Sequence, residues 1–188
     1  MLSGRRLDLL DPSPLDIEIE DIAHGLARVA RWNGQTIGEH AFSVAQHSVV
    51  VEEVCRALVP DFTPAQCLTA LLHDGSEYVI GDMISPFKAV LGNHYRTFED
   101  RLERAIHIRF SLAPVMPKDL KKIIKQADHI SAWHEAVQLA GFSSIEADQI
   151  FGEPKVRMDI PLTPLPSTDA QTIFLDRFHQ ISNAIKER

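Results

Sequence analysis

The sequence predicts an all-α fold, a single helical bundle over residues 1–188. Apolar residues recur three and four apart through most of the chain, no segment sustains the alternation of a strand, and the breaks fall on capping residues, glycines and prolines. Up to about Leu15 the chain reads as an irregular arm. A first helix follows over about 20–30, with Ile22, Leu26 and Val29 facing inward. Asn33-Gly34 and Gly38 make 32–39 a loop. A second helix covers about 41–58. Thr63-Pro64-Ala65-Gln66 supplies an N-cap, a first-turn proline and a glutamine three residues on, a capping box that opens a third helix ending near Asp74. Gly81-Asp82 marks a turn. Ser85-Pro86 reads as a cap and first-turn proline, starting a short helix to about Leu91. Longer helices are expected over about 95–110 and 117–140, the second stopped by Gly141. Prolines 154, 161, 164 and 166 exclude a long helix from about 152 to 166. The last helix, about 167–186, sets Ile173, Phe174, Phe178 and Ile181 on one face. The core of the bundle spans about 20–140, and the proline-rich segment and final helix (152–188) follow it without a domain boundary.

A net charge of −7 argues against nucleic acid as a partner, since neutralising a phosphate backbone needs clustered cations. A small phosphate ester, held by a metal and one or two basic residues, stays within reach. The N-terminal MLSGRRLDLLDPSPLD lacks the apolar core of a signal peptide, and no run approaches the 18 or so apolar residues that span a bilayer. Cys55 and Cys67 fall on apolar helical positions and read as buried thiols. These features suit a cytoplasmic protein that keeps away from membranes. A homodimer is left open.

Four residues break the helical pattern. His47 sits on the stripe of Val44, Val51, Val54, Cys55 and Leu58; His73-Asp74 ends the apolar run from Leu68; Asp128 lies one turn from Ile124 and beside Ala127. Singly, each has an ordinary explanation: a hydrogen-bonded core histidine, a chance dipeptide, a buried salt-bridge partner. Burying an ionised carboxylate costs several kcal/mol unless it is paired or coordinates a metal. Two imidazoles and two carboxylates drawn from three helices answer that cost by binding one divalent cation. The mixed nitrogen and oxygen set suits Mn²⁺, Co²⁺, Fe²⁺, Ni²⁺, Zn²⁺ or Mg²⁺ and leaves the choice among them open. Such a site points to a metal-dependent hydrolase.

The same residues carry a resemblance to the HD-domain metal-dependent phosphohydrolases, an all-α superfamily, and within it to the bacterial 5′-deoxynucleotidases and small unassigned HD hydrolases. The motifs are Arg31-Trp32, SVAQHS with His47, HDGSE at 73–77, GDMISPFK at 81–88 and QADHISAW with Asp128. They cover about residues 20–140. The resemblance implies that His47, His73, Asp74 and Asp128 bind the metal, that Arg31 and Glu77 are catalytic or touch phosphate, and that Trp32 lies beside the nucleotide sugar. Two departures stand out. Gln46 occupies a position where glutamate often precedes the first metal histidine, and the Arg31–His47 spacing is about one residue longer than in the deoxynucleotidases.

The residues support these roles on chemical grounds as well. Glu77, three past Asp74, can hydrogen-bond a metal-bound water as acid or base; the alternative is an exposed glutamate on a turn. Asp74 belongs with Arg31 and Glu77 as a catalytic candidate. Arg31 can grip a phosphate bidentately or stand solvated at a helix end; His24, Arg28 and Arg31 are expected to share a helical face. Lys88 can add a second cation. Asp82 can orient Lys88, Arg31 or a water, or only close a turn. Trp32 either borders the sugar or packs into the core. The leading function is a phosphomonoesterase on (deoxy)nucleoside 5′-monophosphates. The alternatives are hydrolysis of a nucleoside triphosphate, a guanosine tetraphosphate alarmone or a cyclic nucleotide, and a non-catalytic metal- or nucleotide-binding domain.

Overall fold

The computed structural model describes residues 1–154 and 158–187, and for Ser85, Pro86, Ala89, Asn93 and His94 the backbone only. Its helices are α1 (Ile19–Leu26), α2 (Val44–Leu58), α3 (Pro64–Leu71), α4 (Glu77–Ile80), α5 (Ser85–Arg109), α6 (Lys118–Gln138), α7 (Ser144–Phe151) and α8 (Ser167–Lys186), and no strand occurs among the described residues. Helix α2 is central. It packs on α6, α3 and α8, which is why its buried positions (Val44, Ala45, Gln46, His47, Ser48, Val51, Glu52, Val54 and Cys55) cover more than one stripe. A helix walled in on several sides buries most of its surface. Phe174 and Phe178 of α8 close the core on the opposite side.

Local chemistry sets most of the boundaries. Thr63 and Gln66 form the expected reciprocal capping box at α3. Ser43 caps α2 by accepting from the Gln46 N–H, so this helix starts a little later than the apolar pattern suggests. The first helix is shorter than expected: α1 ends at Leu26, and residues 29–31 then pair with 42–44 through Arg31 N–H to Phe42 C=O and Val44 N–H to Val29 C=O. Arg31 therefore leaves the helical face of His24 and Arg28. Arg28 instead reaches Gln171 on α8, which removes it from the candidate phosphate cations.

The expected pair of helices over 85–91 and 95–110 is one element, α5, kinked at Gly92 (φ 67°, ψ −148°). Only glycine takes that backbone cheaply. The cap position is Ile84; a capping role for the Ser85 side chain lies outside the described atoms. Glu77 lies in a short helix, α4, rather than a turn. Helix α7 was not expected, although Ser143 and Glu146 form a complete capping box at its start.

Gln46 explains its own departure from the family pattern. Its side-chain amide donates to Thr163 C=O and its carbonyl accepts from Leu165 N–H. Gln138 does the same for Ile160 C=O and Leu162 N–H. Two glutamines thus pin the proline-rich segment over α2 and α6. A glutamate could not serve both the donor and the acceptor side.

Candidate active site

The α2, α3 and α6 helices and the turn after α3 bring His47, His73, Asp74 and Asp128 into one cluster. Donor atoms of His47, His73 and Asp128 all lie within 4.8 Å of one another. Asp74 Oδ2 stands 3.1 Å from His73 Nε2 and 3.5 Å from His47 Nε2, and Asp128 Oδ1 stands 3.2 Å from His47 Nε2. Ligands about 2.1 Å from a common ion lie roughly 3.0–3.4 Å apart in octahedral or tetrahedral geometry. The 3.1 and 3.2 Å spacings fall on that edge and the 3.5 Å one lies just beyond it.

The histidine tautomers follow from the outer hydrogen bonds. His73 Nδ1 lies 2.9 Å from Ala70 C=O, and His47 Nδ1 lies 2.6 Å from Glu135 Oε1. Both acceptors require Nδ1–H, which leaves each Nε2 with a lone pair. Both Nε2 atoms are buried and without a hydrogen-bond partner. Orphaned buried nitrogens aimed at two carboxylates are what a divalent cation would satisfy, so the residues fit the metal that the sequence implies.

The electrostatics agree. Burial disfavours a charged imidazole at His47 and Arg31 repels it, yet Glu135 and Asp128 raise its pKa to about 10. Burial likewise opposes ionisation of Asp74 and Asp128, but His73 in the first case and His47 in both pull them below the ordinary carboxylate range. The cluster attracts a positive charge at Nε2, whether proton or metal ion.

Around this floor opens a cavity of about 550 Å³, lined among others by Arg31, Trp32, Glu77, Asp82, Lys88 and His129. Glu77 is buried; its Oε1 faces Lys88 Nζ at 3.5 Å and its Oε2 has no partner. Burial, reinforced by Asp74 and Asp82, raises its pKa to about 9. Lys88 also meets Glu99 at 3.1 Å and lies over the Tyr95 ring. Asp82 is 3.6 Å from Arg31; burial raises its pKa against the pull of Arg31.

Arg31 and Trp32 reach the cavity through an unusual backbone. Trp32 (φ 56°, ψ 28°) and Asn33 (φ 51°, ψ 29°) are both left-handed, a conformation that costs a non-glycine residue about 1–3 kcal/mol. The indole is held by one hydrogen bond and two ring contacts and turns its remaining face to the cavity. Its Nε1–H donates to Glu135 Oε2 at 2.8 Å, and its rings contact Phe142 and Phe151 at centroid distances of 5.7 and 5.9 Å. Helix α7, which brings Phe151, is tied to α6 by Trp133 Nε1–H donating to Asp148.

Sequence reasoning did not single out Glu135, Phe151 or His129. Glu135 is fully buried, but in HISAWHEAVQ it looks like a surface residue, because apart from Ser131 its partners lie 88 to 104 positions away. The capping box before α7 could have flagged a helix there, though not its position over the cavity.

The profile of the family described as "5'-deoxynucleotidase YfbR-like" matches residues 22–178, well past residue 140 where the motif resemblance stops. The chain is 54% identical to an uncharacterized protein of Rhodobacter capsulatus, covering 98% of this chain and 95% of that protein. It is 31% identical to the uncharacterized protein YfdR of Escherichia coli, covering 91% and 88% respectively. On the extent of the profile match, the chain belongs to the YfbR-like 5′-deoxynucleotidase family of HD-domain phosphohydrolases.

Proposed function

We propose that the protein is a divalent-metal-dependent phosphomonoesterase acting on deoxynucleoside 5′-monophosphates. The observation that carries this is the convergence of His47, His73, Asp74 and Asp128, two of them with orphaned Nε2 atoms, beneath a cavity that also holds Glu77 and Arg31. His47, His73, Asp74 and Asp128 would hold one divalent ion, which when bound polarises a phosphoryl oxygen and lowers the pKa of a water. Asp74 serves both the ion and the reacting water beside it. Arg31, oriented by Glu135 and Asp82, turns its remaining N–H groups to the phosphate, and Lys88 adds a second positive charge. Glu77 supplies the proton for the leaving 5′-oxygen. A water oxygen bonds to phosphorus, the bond from phosphorus to the 5′-oxygen breaks, and the proton released by the water restores Glu77.

The cavity favours a monophosphate over a triphosphate or an alarmone. With Arg28 turned toward α8, Arg31 and Lys88 are the only lysine or arginine residues among the described residues lining it. Its volume lies within the usual range of about 300–1,000 Å³ for small-molecule sites. Trp32 favours a deoxy sugar: its one polar hydrogen is already given to Glu135, so the face it turns to the cavity is carbon. A ribose 2′-hydroxyl buried there loses its partner, at a cost of about 1–3 kcal/mol, or roughly 10- to 150-fold in selectivity.

Phosphate release tests the reading across deoxy- and ribonucleoside 5′-monophosphates, triphosphates and cyclic nucleotides, with several divalent metals. Release should need a divalent ion, run fastest on deoxynucleoside 5′-monophosphates, and lose its sugar preference in Trp32→Ala. A triphosphate or cyclic nucleotide as best substrate would overturn the monophosphate assignment. Silence with every metal and nucleotide would leave a binding domain.

A further inference from the structure

Glu135 joins the two halves of this site. It is fully buried, and each of its oxygens meets two donors. Oε1 lies 2.6 Å from His47 Nδ1 and accepts from Ser131 Oγ at 3.0 Å; Oε2 accepts from Trp32 Nε1–H at 2.8 Å and from Arg31 Nε–H at 3.1 Å. Four donors fill its four lone-pair positions. On one side this carboxylate fixes the His47 ring and its Nδ1–H tautomer, leaving Nε2 to face Asp74 and Asp128. On the other it ties down an arginine and a tryptophan whose backbone is left-handed at Trp32.

We propose that Glu135 is a positioning residue that couples the metal ligand His47 to the substrate-facing pair Arg31-Trp32. The proposal rests on the metal-dependent nucleotidase reading above. Glu135 touches neither the reacting phosphate nor the ion; it acts through the three residues it orients.

The chemistry makes glutamine a sharp probe, because it matches glutamate in size but carries an acceptor on one side only. If its carbonyl faces Arg31 and Trp32, its NH₂ faces His47 Nδ1. That nitrogen must then accept, the ring proton moves to Nε2, and the lone pair for the metal is lost. If the carbonyl faces His47, the NH₂ confronts Trp32 Nε1–H and Arg31 Nε–H, donor against donor, and the indole and guanidinium are pushed from their places. No orientation of an amide serves both sides. A carboxylate alone does.

The test measures two quantities in Glu135→Gln. The first is divalent-metal affinity, by Co²⁺ and Mn²⁺ titration of the metal-free full-length protein against a chelating indicator, with no nucleotide present. Loss of an outer-sphere histidine partner typically weakens metal binding 10- to 100-fold. The second is KM and the deoxy-to-ribo ratio of kcat/KM for nucleoside 5′-monophosphates. Glu52→Gln is the control, a buried carboxylate on α2, away from the site, that pairs with Arg177 and Arg56; it should cost stability while leaving both quantities within about twofold.

Either amide orientation predicts a specific loss: weaker metal binding of at least tenfold, or a KM raised at least tenfold together with a sugar ratio moved toward one. Either result supports the coupling. A folded Glu135→Gln with metal affinity, KM and sugar ratio all within twofold of wild type would overturn it. So would Glu52→Gln reproducing the same losses, since the effect would then be one of general stability. Wild-type protein that binds no divalent ion would overturn the parent reading and this one with it, which distinguishes the two failures.

Discussion

Glu77 keeps a proton beside three carboxylates held below their ordinary range, and the difference is one of partners. All four are buried, but Asp74, Asp128 and Glu135 each face an imidazole or guanidinium, whereas burial of Glu77 is reinforced by Asp74 and Asp82 and offset less strongly by Lys88 at 3.5 Å and by Arg31. Its pKa rises from 4.5 to about 9, so folding favours the protonated form. The resulting stabilisation is complete below about pH 4.5 and is lost as pH climbs through about 9. Glu77→Gln mimics the neutral form at every pH. In the metal-free protein its stability should therefore gain on wild type steadily between about pH 5 and 9, measured by urea unfolding at several pH values. A gap that stays flat or narrows would sink the buried-acid assignment. In the loaded enzyme, Glu77→Ala should lower kcat about 10²-fold with metal content unchanged. The clustering of His47, His73, Asp74 and Asp128 was legible in the sequence because polar groups inside apolar runs are anomalies. Glu135 was not, because its burial comes from distant partners that no local pattern announces.

At the scale of elements, the reacting groups depend on how closely helices approach. Gly25 of α1 lies against α4, the helix that carries Glu77: a Cβ added there would sit 2.7 Å from both Tyr78 Cβ and the Tyr78 carbonyl oxygen. Helix propensity alone says that Gly25→Ala should stabilise by about 1 kcal/mol. Overpacking against backbone typically costs about 1–3 kcal/mol, and a carbonyl cannot swing aside as a side chain can, so the steric effect wins. Gly25→Ala should lower unfolding free energy by about 1–2 kcal/mol and reduce kcat through displaced Glu77, with the metal retained. A stabilised variant of full activity would show that α1 and α4 have slack between them. The order of helices was readable because caps and apolar periodicity are local. What escaped was set by tertiary geometry: the early end of α1, forced by the pairing of 29–31 with 42–44, and the continuation of α5 through Gly92. Helix α7 escaped because its apolar face is short, with Ala147 its one buried residue.

Across the whole molecule, the site is assembled from segments far apart in the chain: the Arg31-Trp32 corner, α2, the α3–α4 turn and α6. No helix among the described residues is long and apolar enough to cross a membrane. On a chain of net charge −7, the folded state gathers Asp74, Glu77, Asp82 and Asp128 around one cavity, with His47, His73 and Arg31 as the positive groups that hold Asp74 and Asp128 ionised. A divalent ion at His47, His73, Asp74 and Asp128 would satisfy the orphaned Nε2 atoms and bind the folded state alone. Metal should therefore act as a folding ligand as well as a catalytic one. At a free concentration one hundred times its dissociation constant, such an ion stabilises by about 2.7 kcal/mol. For a domain of this size each kcal/mol is worth about 2–4 °C, so Mn²⁺ or Co²⁺ should raise Tm by roughly 5–10 °C over chelator-treated protein. Asp128→Ala should behave differently in both conditions. Without metal it should melt below wild type, having lost the carboxylate that pairs with buried His47, and with metal most of the upward shift should vanish. Differential scanning fluorimetry across a metal series reads all four values. A wild-type Tm indifferent to metal, or a full shift retained in Asp128→Ala, would mean that the ion binds elsewhere or not at all.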